Sequence, residues 1–169
     1  KGIQTLGENQ VFYLPYLMGE RSPHNNPDAR AMFVGMSMDT TREDMTLAVL
    51  EGVAFGLRDS LEVARSLGIR IDSSRICGGG AKSPLWRQII AAVMNVKLEI
   101  IESEEGPGDG AAILAAVGCG TFECVESACE KLVKVIDTVE PDPAVSKKYH
   151  GIYQKYKNIY PLVREFYSR

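Results

Sequence analysis

Three glycines in a row, Gly78, Gly79 and Gly80, are followed by Ala81, Lys82, Ser83 and Pro84. Glycine has no Cβ, so such a run lets the backbone come close to a ligand. Ser83 can cap a helix whose first residue is Pro84, where the missing N–H costs nothing. The free N–H groups at such a helix start favour an anion, phosphate among them. Arg75-Ile76-Cys77 reads as a short strand leading into the glycines. The tripled glycine and the helix start that follows it are therefore a candidate site for phosphate or nucleotide. A tight strand–helix turn with no ligand is equally compatible with the local sequence. Lys82-Ser83 invites comparison with a P-loop, but that motif needs glycine immediately before the lysine and again five residues earlier. Those places hold Ala81 and Ile76, so Lys82 reads as a surface charge.

Other constellations carry less. Gly106-Pro107-Gly108-Asp109-Gly110-Ala111 fits a G-x-G-x-x-A dinucleotide pattern. Glu102, Glu104, Glu105 and Asp109 surround it and would repel a pyrophosphate, and the strand before it lacks a convincing partner strand ending in an acidic ribose ligand about 20 residues on. The reading is that Asp109 caps the helix and the glycines allow close packing. Cys77, Cys119, Cys124 and Cys129 form no C-x-x-C pair, and His24 and His150 are far away, which argues against a zinc site. These cysteines read as small buried hydrophobes in a reducing cytoplasm. His24, with Glu20 and Asp28, has no nucleophile nearby and belongs to a polar, hydrogen-bonded loop. Tyr149, Tyr153, Tyr156 and Tyr160 recur at helical spacing as a packing face. Arg58, Asp59 and Glu62 read as a solvated or hydrogen-bonded face.

The elements that must position the glycine turn follow from periodicity. Val11 to Leu17 is an extended piece feeding a polar loop, and Ala31 to Met38 reads as a strand. Thr40 and Glu43 have capping-box spacing ahead of a long helix. Its apolar face is Leu47, Leu50, Ala54, Leu57, Leu61 and Ala64, and Gly68 ends it. A helix from Pro84 carries Leu85, Ile89, Ala92 and Val93 on one side. A strand over 96–101, a small-residue helix over 111–117, a helix over 127–133 and a strand over 135–139 come next. The last helix starts at Asp142-Pro143, with Pro161 kinking or ending it. Alternating strands and helices predict an α/β layered domain.

Composition bounds the rest. The chain has 169 residues, 45% hydrophobic and 24% charged, which excludes a disordered tail or a disulfide miniprotein. Its 19 basic and 22 acidic residues give a net charge of -3, so neither nucleic acid nor an anionic membrane is an expected partner. No run approaches the roughly 20 apolar residues that span a bilayer. The start at Lys1, without Met and without a signal-like run, leads to the expectation of a cytoplasmic piece of a longer protein.

Taken in order, these segments resemble the C-terminal part of the FGGY family of carbohydrate kinases, with the branch acting on D-xylulose nearest. Leu14-Pro15-Tyr16-Leu17-Met18-Gly19-Glu20-Arg21-Ser22-Pro23-His24-Asn25-Asn26-Pro27 resembles the loop entering that domain. Ala31-Met32-Phe33-Val34-Gly35-Met36, a gap of seven residues and Asp44-Met45-Thr46-Leu47-Ala48-Val49-Leu50-Glu51 fit the second family signature. Gly78 to Ser83 with Trp86-Arg87-Gln88 resembles the family's adenosine motif. Gly110 to Ala116 resembles the helix packed behind it.

The resemblance implies an α/β fold of the ribonuclease-H-like, actin-like ATPase type, with ATP held between two domains. Residues 1–169 would be the second of these, and the sugar-binding domain would lie upstream. Gly79 and Gly80 would lie against the adenosine and α-phosphate, with Ala81 and Ser83 lining the adenine side. Several family members carry Asn where this chain has Pro84, which offers no side-chain amide. The resemblance places the catalytic Asp upstream, assigns this chain no catalytic residue and no metal ligand, and brings Mg²⁺ in with the nucleotide. ATP or ADP and, through the other domain, a sugar are the implied partners, and a homodimer is compatible with them. Half a cleft should not catalyse phosphoryl transfer. The competing expectation is a stand-alone, non-catalytic nucleotide-binding or interaction module.

Overall fold

The structure, a computed structural model, describes residues 6–102 and 106–167. Its axis is the helix α1, Arg42–Ser66. Thr41 caps it: its hydroxyl accepts from the Asp44 amide at 3.2 Å, and the Asp44 carboxylate accepts from the Thr41 amide at 3.0 Å. The box therefore sits one residue later than the expected Thr40–Glu43 pair. Thr40 is already engaged, its hydroxyl accepting from the Ser37 amide at 2.8 Å to close the preceding turn. Gly68, at φ 81°, ends the helix as expected, donating to the Arg65 carbonyl at 2.9 Å.

Leu47, Ala54 and Leu61 are buried, but Leu57 is 46% exposed. The helix instead buries a wider sector that includes Glu51, Gly52, Phe55, Arg58 and Asp59. Strand β1 (Phe12–Leu14) crosses directly over it, so closely that a Cβ on Gly52 would collide with the Tyr13 carbonyl oxygen. Strand β2 (Met32–Val34) pairs antiparallel with β1, Tyr13 opposite Phe33. The expected strand over 31–38 is cut to these three residues because Gly35, at φ 87°, turns the chain away.

The second layer is a three-stranded sheet in the order β3-β4-β5, formed by Ser73–Ile76, Lys97–Ile101 and Val135–Val139. β3 and β4 are parallel, with Ser73 opposite Lys97, and are joined through helix α2, Pro84–Met94. β5 closes antiparallel on β4, with a register irregularity at Ile100/Ile101. Helices α3 (Pro107–Gly118) and α4 (Val125–Leu132) lie between β4 and β5. Helix α5 (Pro143–Tyr156) and the short α6 (Ile159–Val163) complete the chain. The expected kink at Pro161 comes earlier, between Tyr156 and Ile159. Proline at 161 cannot donate to the carbonyl of Lys157 and its ring crowds it, so the break falls one turn upstream.

The tyrosine stripe does pack: Tyr149, Tyr153, Tyr156 and Tyr160 are all buried, three of them against Phe55. It also supplies hydrogen-bond donors to buried carboxyls. Tyr149 Oη donates to Glu51 at 2.8 Å and Tyr153 Oη to Asp59 at 2.6 Å. Arg58, 5% exposed, donates to the Val93 carbonyl at 2.8 Å, meets His150 Nδ1 at 3.1 Å and lies 4.3 Å over the Tyr153 ring. The face expected to be solvated or hydrogen-bonded is thus hydrogen-bonded, and at Arg58 and Asp59 it is buried. The cysteines depart from expectation: Cys77 and Cys119 are exposed, and Cys124 and Cys129 are half-buried. Cys77, Cys119 and Cys124 sit at the ends of β3, α3 and α4, where side chains leave the core.

Burial lifts the Glu51 carboxyl to about 7 and that of Asp59 to about 6, against the opposing donation from their tyrosines. A carboxyl with a raised folded-state pKa binds more protons folded than unfolded, so its contribution falls as pH rises through the interval between the two values. For Glu51 that interval runs from 4.5 to about 7. Melting temperatures of the chain should therefore fall between pH 5 and 8. Glu51→Gln should flatten that slope, and an unchanged slope would refute the assignment.

Candidate functional site

The parallel pair β3–β4 directs its carboxyl ends toward one edge, where open α/β sheets bind ligands. Both glycine turns sit there. β3 runs through Cys77 into Gly78, at φ 83°, and a single 3₁₀ turn, Gly79–Lys82, joins it to α2. β4 leads to Gly106, at φ 44°, where a Cβ would lie 3.1 Å from Cys77 Sγ. The two turns therefore abut.

The first turn is built from its own backbone. The Ala81 amide donates to Gly78 at 3.0 Å and the Ser83 amide to Gly80 at 3.3 Å. The first amides of such a turn, those of Gly79 and Gly80, find no acceptor within it. Ser83 caps α2 as expected, its Oγ accepting from the Trp86 amide at 3.3 Å. Arg87 reaches back to donate to the Ala81 carbonyl and lies 3.6 Å from Asp137 on β5. The four sequence-predicted residues are thus brought together, but they do not face alike. Gly79 is exposed, with nothing within 4 Å of where a Cβ would stand. A Cβ on Gly80 would instead strike Trp86. Ala81 is buried and Ser83 is half-buried. Behind the turn is a hollow of about 370 Å³, walled by apolar side chains of α1 and α2 that include Val53, Leu57, Ile90 and Met94.

The second turn carries a correction. Gly106, not Asp109, occupies the cap position, and no side chain caps α3. Asp109 lies in the first helical turn, its Oδ2 buried with no hydrogen-bond partner among the described residues. With Glu102, Arg75 and Lys134 it lines a hollow of about 530 Å³, in which Lys134 lies 3.6 Å from Glu102. Glu104 and Glu105 lie outside the described residues. Nor does α3 pack tightly behind the first turn: it buries only Ile113, leaves Leu114 62% exposed and rests on α4.

Other sequence candidates take structural roles. The His24 ring stacks on Tyr160 with centroids 3.7 Å apart and meets Tyr16 edge-on at 5.9 Å, and burial lowers its pKa. Among the described residues, no group of three or more His, Cys, Asp or Glu side chains is placed to hold a metal. No helix among them is long and apolar enough to cross a membrane. Trp86 and Arg87 are the residues that motif spacing left without roles. Their orientation depends on α1 and β5, which local sequence does not report.

A glycine turn opening a helix at the carboxyl edge of a parallel pair goes with an actin-like ATPase fold, the fold of the sugar kinases whose structures this chain resembles. Residues 3–119 match the FGGY family of carbohydrate kinases, C-terminal domain, and the chain belongs to that family. It is 39% identical to a xylulose kinase of Staphylococcus epidermidis over 158 residues, which is 94% of this chain and 31% of that protein. A ligand-bound xylulose kinase from Lactobacillus acidophilus superimposes with a TM-score of 0.86 at 26% identity, covering 97% of this chain and 34% of the other. A gluconate kinase from the same organism superimposes with a TM-score of 0.83 at 26% identity, covering 95% and 33%. The chain spans about a third of the length of these relatives.

Because the Ser83 hydroxyl holds the first turn of α2, Ser83→Ala should cost on the order of 1 kcal/mol. Urea unfolding checks this. A loss below about 0.3 kcal/mol would mean that Pro84 and the preceding turn suffice to start the helix.

Proposed function

We propose that residues 1–169 are the C-terminal, nucleotide-binding domain of a two-domain kinase that transfers the γ-phosphoryl group of ATP to D-xylulose, giving D-xylulose 5-phosphate. The observation that carries the nucleotide assignment is Gly79, exposed at the start of the turn with nothing within 4 Å of where a Cβ would stand. In this reading Gly79 and Gly80 present backbone to the adenosine and α-phosphate. Ala81 and Ser83 form the adenine side, and Pro84 contributes shape without a side-chain amide. The net charge of -3 offers a polyphosphate no general attraction, so affinity comes from local amides. D-Xylulose is supported by the relative at 39% identity.

Phosphoryl transfer needs a positioned acceptor, charge neutralisation and a base for the hydroxyl proton. The family resemblance assigns the base to the other domain, and the buried carboxylates described here, Glu51 and Asp59, are each held by a tyrosine inside the core. Mg²⁺, which neutralises phosphate charge when bound, is assigned to the nucleotide and its waters. A cytoplasmic location goes with this reading.

Two outcomes test it. Gly79→Leu should weaken ATP binding at least about tenfold by calorimetry while moving the melting temperature by no more than about 2 °C. Unchanged affinity would put the nucleotide elsewhere. The 169-residue chain alone should show no xylulose-dependent ATP consumption, and sustained turnover would overturn the two-domain assignment.

A further inference from the structure

Gly79 and Gly80 are neighbours with different surroundings. A Cβ built on Gly79 meets open space. On Gly80 it would fall 2.6, 2.9 and 3.3 Å from Cζ3, Cε3 and Cη2 of Trp86, on the six-membered side of the indole. Neither residue has the positive φ that would demand glycine on conformational grounds. Trp86 is held from two directions. Its amide is capped by Ser83, and its Nε1 donates to the Leu50 carbonyl of α1 at 3.1 Å. The ring is therefore a fixed floor under the turn and cannot readily swing aside.

From this we infer that Trp86 is the positioning residue of the glycine turn: Gly80 is glycine because the indole lies against it, whereas Gly79 is the glycine that faces the ligand. The inference rests on the nucleotide reading for the ligand but not for the packing. The Leu50 carbonyl anchors the ring to α1, the Gly80 backbone rests on the ring, and the amides of Gly79 and Gly80 are thereby aimed outward. Any ligand seated on the turn stands one glycine away from the indole. Trp86 is the chain's only tryptophan, so the intrinsic emission of the protein reports this one place.

Its test is a double-mutant cycle on the full chain with Gly80→Ala, Trp86→Leu and the pair, read by melting temperature and by calorimetric ATP titration. Overpacking against a fixed ring should make Gly80→Ala lower the melting temperature by roughly 3–10 °C and weaken ATP at least about fivefold. In the Trp86→Leu background the same alanine should cost less than about 1 °C and less than about twofold, since the atoms it would strike are gone. Equal losses in both backgrounds would overturn the inference. ATP should also change the emission of the unsubstituted chain, and calorimetric binding without such a change would overturn the placing of the indole beneath the occupied turn. Should the unsubstituted chain bind no ATP while the melting cycle shows the coupling, Trp86 stands as the floor of the turn. The nucleotide reading then falls on its own.

Discussion

Glu51, Arg58 and Asp59 lie inside the core on a helix that is covered from two sides, and a buried charge is tolerable only when it is paired. The N-terminal segment reaches Glu51 through Asn9 and the Gly7 backbone, but the hydroxyls come from farther along the chain. Helix α5 supplies them, and its tyrosines meet the carboxylates while its rings pack on Phe55. Arg58 extends the arrangement to a third element by taking the Val93 carbonyl near the end of α2. Arg65 takes the next one, Met94, at 3.2 Å. Helix α2 is thus pinned at its far end by two arginines of α1. At its near end it is tied to the same helix through Trp86. The glycine turn inherits its position from that clamp.

Local signals in the sequence were read well wherever the physics was local. Ser83 and Pro84 announced the start of α2, Gly68 the end of α1, and the tyrosine spacing a packed face. The capping box was displaced by one residue because Thr40 had been claimed by the turn before it, a competition that spacing alone does not reveal. Asp109 looked like a cap but lies inside the helix, since the chain enters α3 through Gly106 in a left-handed turn. Leu57 fits the apolar stripe of α1 yet stays exposed, because the helix buries a polar sector beside it. That sector was illegible in sequence: its partners come from α5, about a hundred positions away.

The site shows the same division. The family resemblance named four residues in one turn, and they do come together. What sequence could not supply was their orientation, since Gly79 and Gly80 are alike in a string of letters and opposite in surroundings. The second glycine turn, which matches a known pattern more fully, is the poorer candidate. Asp109 stands half-buried in it with one oxygen unsatisfied, an acceptor where an anion would need donors.

The pairing of Glu51 with Tyr149 spans 98 residues, and that of Asp59 with Tyr153 spans 94. On a ribosome adding about 5–20 residues per second, roughly 5–20 s separate the appearance of each carboxylate from that of its hydroxyl. During that interval α1 can form its capped turns but cannot bury its charged sector. The N-terminal elements must therefore wait in a partly wet state, with the carboxylates facing solvent. Completion of this domain is a C-terminal event, timed by the emergence of α5.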